Sequence, residues 1–417
     1  MVRSPLFMLH RETLSFWFVE APFCYTQPRR RVWLVQPALL LAALCVQAWS
    51  QPPNPSNVIQ IKLGQYGWQR LPPPVRQEAW PTLERLMKVD SKGRVVVGYT
   101  TREDTELATR GNPRLSFHIL RFTPEGKLNL SVSLPTDNLP DNAVFLDAQD
   151  HILVVANETL QMLTGDDQTP IQQRTWKPLT SCSWPSQSCR IVQSTTRRRL
   201  FVITCVGPNP KCAEPASTAY DTSLPEPQVV KTCVWRGGGT TDKFGYRWGW
   251  DRGYFTRRYP LCDSDRPEEL PLHDQVGDVL SDDLFVAAGV KKKRWEIGTV
   301  TANGDTKFRL VLPKHDMPAL GIKYVKGDAA GNRFAILIDT LQGGSSALDI
   351  GGHLAARRVV VYDSDFGTQL TSLSVYPPVP HYGVALGIVP GFTFDLSPDG
   401  HVLAVLSEGV ITIAKVE

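Results

Sequence analysis

Residues 244–260 read FGYRWGWDRGYFTRRYP, in which seven aromatic rings are interleaved with four arginines and three glycines. Flat rings stack on sugars or nucleobases, and guanidinium forks take carboxylate or phosphate through paired hydrogen bonds. Tyr246, Arg247, Trp248, Trp250, Arg252 and Tyr254 are therefore candidate ligand contacts. The same composition suits a second arrangement, with the arginines stacked on the stretch's own rings as a small self-contained core. Residue types alone leave both open.

Histidines form the other candidate set. His315-Asp316, His353 and His381 fall between apolar runs, and two or three of them converging could act as acid and base or hold a metal. They are far apart in the chain and no H-E-x-x-H spacing occurs, so no metal or other cofactor is expected. His118, His151 and His401 sit at strand starts or tight turns and read as structural. LQGGSSALDIGGH (341–353) lacks the G-x-x-x-x-G-K-[ST] phosphate loop, and KKKR (291–294) reads as a solvated hairpin turn. No G-x-S-x-G elbow is present.

The bulk numbers narrow the classes. A chain of 417 residues with 42% hydrophobic and 21% charged residues has the composition of a soluble globular protein with ample core. Its net charge of +4 gives no argument for nucleic acid, which needs a concentrated basic face. Arg29, Arg30 and Arg31 precede an apolar run from Val32 to Trp49, and Ala48-Trp49-Ser50 offers a small–x–small cleavage pattern before Gln51. This reads as a signal peptide over 1–50, with the true start downstream of Met1. The run is interrupted by Gln36, Pro37 and Gln47 and is short of the roughly 20 apolar residues of a span, so no stable membrane insertion is expected after cleavage. The expected location is periplasmic or extracellular.

Six of the eight cysteines lie in the mature chain, all between 182 and 262. In an exported protein an even set implies disulfides, and adjacency favours Cys182–Cys189, Cys205–Cys212 and Cys233–Cys262.

One phrase recurs along the chain: a short apolar strand, a tight polar turn, then a β-branched strand. It reads LMKVDSKGRVVVGY (86–99), AVFLDAQDHILVVA (143–156) and RIVQSTTRRRLFVITC (190–205), then VGDVLSDDLFVAAG (276–289), YVKGDAAGNRFAILID (324–339) and FTFDLSPDGHVLAVLS (392–407). Several copies are followed by two more strand-like runs, such as FHILRF and LNLSVSL (117–122 and 128–134). Repeated groups of four short antiparallel strands predict an all-β chain folded as a β-propeller. Six blades are expected, or seven if the stretch between Cys205 and Val276 hides a degenerate one. NVIQIKL (57–63) and VITIAKVE (410–417) are left over at the two ends, and pairing them closes the ring. The domain is then 57–417, preceded by a Pro-rich segment 51–56 and carrying a stapled loop insertion at about 233–262.

LSPDGHVLAV (396–405) resembles the PD40-type motif of WD40-like and TolB-like propellers, many of them in exported bacterial proteins. VDSKGRVVV and GDAAGNRFAIL resemble it more loosely. The resemblance implies a propeller and a family known for binding and scaffolding, and it carries no chemistry.

Within a blade, first-to-second and third-to-fourth turns share one face of the disc; the remaining connections share the other. The first set is short here (SKG, AQD, SPDG, TPEGK, ANGD), whereas 100–115, 206–218, 236–275, 340–357 and 376–391 are long. Elaborated loops on a rigid scaffold are where function concentrates. The expected function is non-catalytic binding of a protein or carbohydrate ligand by a monomer through that face. A glycan hydrolase or lyase at the channel mouth is the alternative, and a structural part in a cell-envelope assembly is the third reading.

Overall fold

The computed structural model describes residues 57–68, 87–102, 115–136, 143–156, 159–164, 172–175, 190–193, 199–203, 216–221, 228–234, 240–241, 246–251, 254–260, 268–272, 275–281, 283–319, 324–342, 353–375 and 392–417. The described residues form antiparallel sheets and one 3₁₀ turn, Leu63–Tyr66. No helix among them is long and apolar enough to cross a membrane.

Seven sheets follow one another along the chain, numbered here in that order. Sheet I is Met87–Val89, Val95–Arg102, Leu115–Phe122 and Leu128–Thr136. Sheet II is Ala143–Leu146, Ile152–Ala156, Thr159–Thr164 and Gln172–Thr175; sheet III is Arg190–Gln193, Arg199–Ile203, Ala216–Asp221 and Gln228–Val234. Sheet IV is Thr240–Thr241, Tyr246–Asp251, Tyr254–Pro260 and Glu268–Glu269. Sheet V is Gln275–Ser281, Leu284–Lys291, Arg294–Thr301 and Thr306–Val311. Sheet VI has Asp316–Pro318 and Val325–Gly327 both paired to Arg333–Gln342, followed by His353–Asp363 and Gln369–Ser374. Sheet VII is Phe392–Leu396, Val402–Ser407 and Val410–Lys415, completed on its outer edge by Val58–Lys62 from the other end of the chain.

All six repeated phrases form the first hairpin of a sheet, and the two end segments pair in register from Val58↔Ala414 to Lys62↔Val410. Sheet IV is the departure. The segment expected as a loop insertion at 233–262 carries two strands of six and seven residues, and the described residues form seven sheets, where six or seven blades were expected from sequence. Rings at Tyr246, Trp248 and Trp250 do alternate with Arg247, Gly249 and Asp251, a period-2 signal hidden by the surrounding glycines and arginines, and aromatics pair well across antiparallel ladders.

Local chemistry explains the hairpins. Asp90 follows the first strand of sheet I, and its Oδ1 accepts the Lys92 and Arg94 amides at 2.9 and 2.8 Å, reinforcing the backbone bonds that close the turn. Asp147 repeats this with Gln149 and His151, both at 2.8 Å, and Asp363 with Asp365 and Phe366 at 2.9 and 2.8 Å. The turn then needs one left-handed residue, which Gly93 and Gly400 supply at φ 73° and Asp150 at φ 64°.

Core lies between successive sheets. Val95, Val97, Tyr99, Leu120 and Phe122 of sheet I face Ala404, Leu406, Ile411 and Ile413 of sheet VII. Phe117, Ile119 and Val96 on the opposite surface of sheet I face Val144, Ile152 and Val154 of sheet II. Two further layers fill V–VI and VI–VII. Each buried valine, leucine or phenylalanine contributes about 1.5–3 kcal/mol, so strands that bury both surfaces read as continuous apolar runs.

Hydrogen bonds stitch the same neighbours together at one edge. The Val89 amide donates to Asp395 of sheet VII at 2.9 Å, and the Ser91 amide donates to Asp150 of sheet II at 3.1 Å. The Ala329 amide donates to the Pro398 carbonyl at 2.9 Å, and the Thr299 hydroxyl donates to the Ser364 carbonyl at 2.7 Å. With the Arg258 guanidinium 5.5 Å over the Phe285 ring, described contacts run continuously through sheets IV, V, VI, VII, I and II. The first strands of VII and II each adjoin the first strand of I.

Candidate functional site

Two parts of the molecule hold the candidate residues, sheet IV and one end of sheet VI. In sheet IV, Tyr246 pairs with Pro260, Arg247 with Tyr259, Trp248 with Arg258, Trp250 with Phe255 and Asp251 with Tyr254, with a bulge at Gly249/Trp250. The ring-and-arginine stretch is thus an antiparallel hairpin. Arg252 lies outside the described residues.

Arg258, absent from the candidate set, explains much of this sheet. Its guanidinium sits 4.4 Å from the Tyr246 ring centroid and grips Glu268 through Nε and Nη2 at 2.6 and 3.0 Å. Only 4% of Arg258 is exposed. At this position an arginine does stack on the stretch's own rings, and it locks the outermost strand, Glu268–Glu269, to its neighbour. The five aromatic and arginine positions around it keep their candidacy by register alone.

In sheet VI the chain brings His315, Asp316 and His353 to one end. The His315 carbonyl accepts the Leu341 amide at 2.8 Å, Asp316 pairs with Thr340, and His353 pairs with Gln342 on the other side of the same strand. His315 is exposed. Asp316 is buried: it accepts a hydrogen bond from the Thr340 hydroxyl at 2.6 Å and another from Arg358 Nη2. Its carboxylate serves as an internal counter-ion, because a strand start tucks it under the neighbouring strands. His381 lies outside the described residues.

The next pair along the same strands repeats the pattern. Arg357 Nε and Nη2 donate to the two oxygens of Asp339, both at 2.6 Å, and the guanidinium lies 5.9 Å from the Phe392 ring. On sheet V, Arg309 reaches Glu296 at 3.2 Å. Acids at this end of sheets V and VI are therefore each engaged by an arginine. Among the described residues no three His, Cys, Asp or Glu groups are placed to hold a metal ion. Sequence reasoning missed Asp339, Arg357 and Arg358, although opposite charges in facing strands were a usable signal once the register was known.

The histidines expected to be structural have clear partners. His118 lies between the Thr101 hydroxyl at 2.6 Å and the Ser133 hydroxyl at 2.8 Å, with its ring stacked on Tyr99. His151 is 2.7 Å from Asp147, and His401 is 3.2 Å from the Val416 carbonyl. Burial, with Tyr66 adding to it, pushes the Tyr99 hydroxyl up to about 12.

Of the cysteines, only Cys233 falls among described residues, opposite Ser217 in sheet III. Cys182, Cys189, Cys205, Cys212 and Cys262 lie outside them, and so do all three expected pairings.

No family model and no curated protein matches the chain. Solved structures do. A virginiamycin B lyase from Staphylococcus aureus is 11% identical, with 87% of this chain and 99% of that one covered at a TM-score of 0.40. TolB from Acinetobacter baumannii is 12% identical, covering 77% of this chain and 80% of that one at a TM-score of 0.31. The WD40 domain of SCAP from fission yeast is 9% identical, covering 73% and 92% at a TM-score of 0.35. The likeness is to WD40 and TolB-like propellers. It concerns the fold alone.

Proposed function

We propose that the chain is a seven-bladed β-propeller, closed by the Val58–Lys62 strand, that serves as a non-catalytic interaction module for a protein ligand. The observation that carries this reading is the difference between the two edges of the sheets. At one edge the turns are short and bonded to their neighbours, as in Ser91 to Asp150 and Ala329 to Pro398. At the other lie the long connections 103–114, 204–215, 343–352 and 376–391. A locked face holds the scaffold and leaves the opposite face to vary with a partner. The arginine-engaged acids in sheets V and VI favour recognition over acid–base chemistry, which needs a carboxyl group able to exchange its proton.

Export to the periplasm or beyond completes the proposal and rests on the Arg29–Ser50 pattern and the even cysteine set. Expressed under oxidising conditions and denatured without reductant, residues 51–417 are expected to show no reactive thiol. Six reactive thiols would count against an exported, cross-linked protein.

Binding is tested by tryptophan fluorescence during titration with peptides, anionic and neutral glycans and divalent metals. Saturable quenching that disappears in Trp248→Ala/Trp250→Ala makes sheet IV part of the recognition surface. Quenching by a glycan followed by release of shorter products would replace the module with an enzyme.

A further inference from the structure

We infer that the Lys291–Arg294 hairpin tip of sheet V is a docking site for an acidic, partly apolar peptide segment of a partner protein. The inference deepens the interaction-module reading and rests on it. Lys291 pairs with Arg294, leaving Lys292 and Lys293 as a two-residue turn with φ of 49° and 64°. Turns of this hand prefer Asn-Gly, because both central residues must adopt a left-handed backbone that a lysine side chain disfavours. Two lysines here are therefore a poor choice for the turn itself. Residues held in sparsely populated backbone regions are found where a site needs them.

The surroundings point to a ligand class. Lys291, Lys292, Lys293, Arg294 and Lys314 are all exposed at this edge of the two sheets. The connection bearing Lys314 runs beside the hairpin, since the Leu312 amide donates to the Trp295 carbonyl at 2.8 Å. The acids nearby are turned inward: Glu296, Asp316 and Asp339 are buried against Arg309, Arg358 and Arg357. What the edge presents is positive. Ammonium groups on long stems are mobile point charges that suit a flexible acidic chain better than a fixed planar group.

Val290 adjoins the tip and is 44% exposed; Val311, 46% exposed, lies on the opposite face of the sheet, since it pairs with Glu296 while Val290 pairs with Trp295. A polysaccharide would use the lysines alone. A membrane surface would use large interfacial side chains, whereas the single exposed valine beside the turn, Val290, offers a footprint of peptide size. An extended peptide carrying both carboxylates and aliphatic side chains satisfies both features.

The test uses mature 51–417 and a fluorescein-labelled peptide alternating Glu with Leu, followed by anisotropy at low and high salt. Heparin and phosphatidylglycerol vesicles are the comparison probes. The variant is Lys292→Asn/Lys293→Gly, which keeps the turn and removes two charges. The expected result is salt-sensitive peptide binding weakened about tenfold in the variant, with thermal stability equal to the parent's or higher. Equal binding by parent and variant overturns the assignment, as does hairpin-dependent binding of heparin or vesicles without the peptide. Absence of peptide binding overturns it too, while leaving the module reading to the tryptophan titration, which does not depend on the peptide.

Discussion

Asp316→Ala separates a structural acid from a ligand-binding one. The carboxylate side chain is 4% exposed and engages Arg358, whose own side chain is 25% exposed. It also accepts the Thr340 hydroxyl at 2.6 Å. Removing one member of a fully buried ion pair costs roughly 3–5 kcal/mol, because the remaining charge is left uncompensated. Arg358 can recover water through its exposed quarter, so the upper part of that range does not apply here. Losing the charged hydrogen bond and stranding Thr340 leaves a penalty of about 2–3 kcal/mol. With an unfolding entropy of about 2.1 cal/mol/K per residue over roughly 360 residues, that is a fall in Tm of about 3–4 °C. Asp316→Asn keeps the Thr340 contact and is expected to lose less. Asp316→Leu/Arg358→Met removes both charges and is expected to be milder than Asp316→Ala alone. Thermal and urea unfolding of mature 51–417 measure these differences, with fluorescence titration run in parallel. If Asp316→Ala unfolds like the parent and loses ligand, the internal counter-ion argument fails and the carboxylate belongs to the binding site.

Other expectations follow from single contacts. A Cβ on Gly98 would stand 2.6 Å from both Phe117 and Val144, so Gly98→Ala is expected to lose about 1–3 kcal/mol. Phe117→Leu should restore part of that loss, read by urea midpoint. At Asp399, burial raises the carboxyl pKa, but the Ser397 hydroxyl, the His401 amide and the His401 charge outweigh it and hold the group below its usual 3.8. A lowered pKa contributes stability above 3.8 that is lost as pH falls below it, so Asp399→Asn should flatten the acid limb of Tm against pH. Tyr99 and Tyr362 are both pushed from 10.0 to about 12, so their contribution is present below pH 10 and lost between there and 12. Absorbance at alkaline pH should show these two hydroxyls titrating late, and a single early transition for all tyrosines would contradict their burial.

The parts of the fold legible in the sequence are those where one short segment carries the whole signal. VDSKGRVVV states a strand end, a capping Asp, a left-handed Gly and a β-branched strand in nine residues, and sheet I begins with that hairpin. The outer strands are harder. Gln172–Thr175 is entirely polar, and Thr240–Thr241 and Glu268–Glu269 are two residues long, too short for any period to show. Sheet IV was hidden for this reason, with its central strands read as a loop and its outer strands invisible.

The site residues failed differently, through dependence on register. Arg357 faces Asp339, and Arg358 reaches Asp316 across an intervening strand. Nothing in the run of either strand fixes that alignment, because the connection between them spans 343–352 and leaves several registers open. Residue-type reasoning therefore gave Asp316 a ligand role and the lysines none. Glu296, Asp339 and Asp316 are engaged internally by arginines, whose planar forks suit partly buried settings, while Lys291, Lys292, Lys293 and Lys314 stay exposed. On the docking proposal, a partner meets that outward charge at the plain KKKR turn and not at the rarer histidine and aspartate beside it.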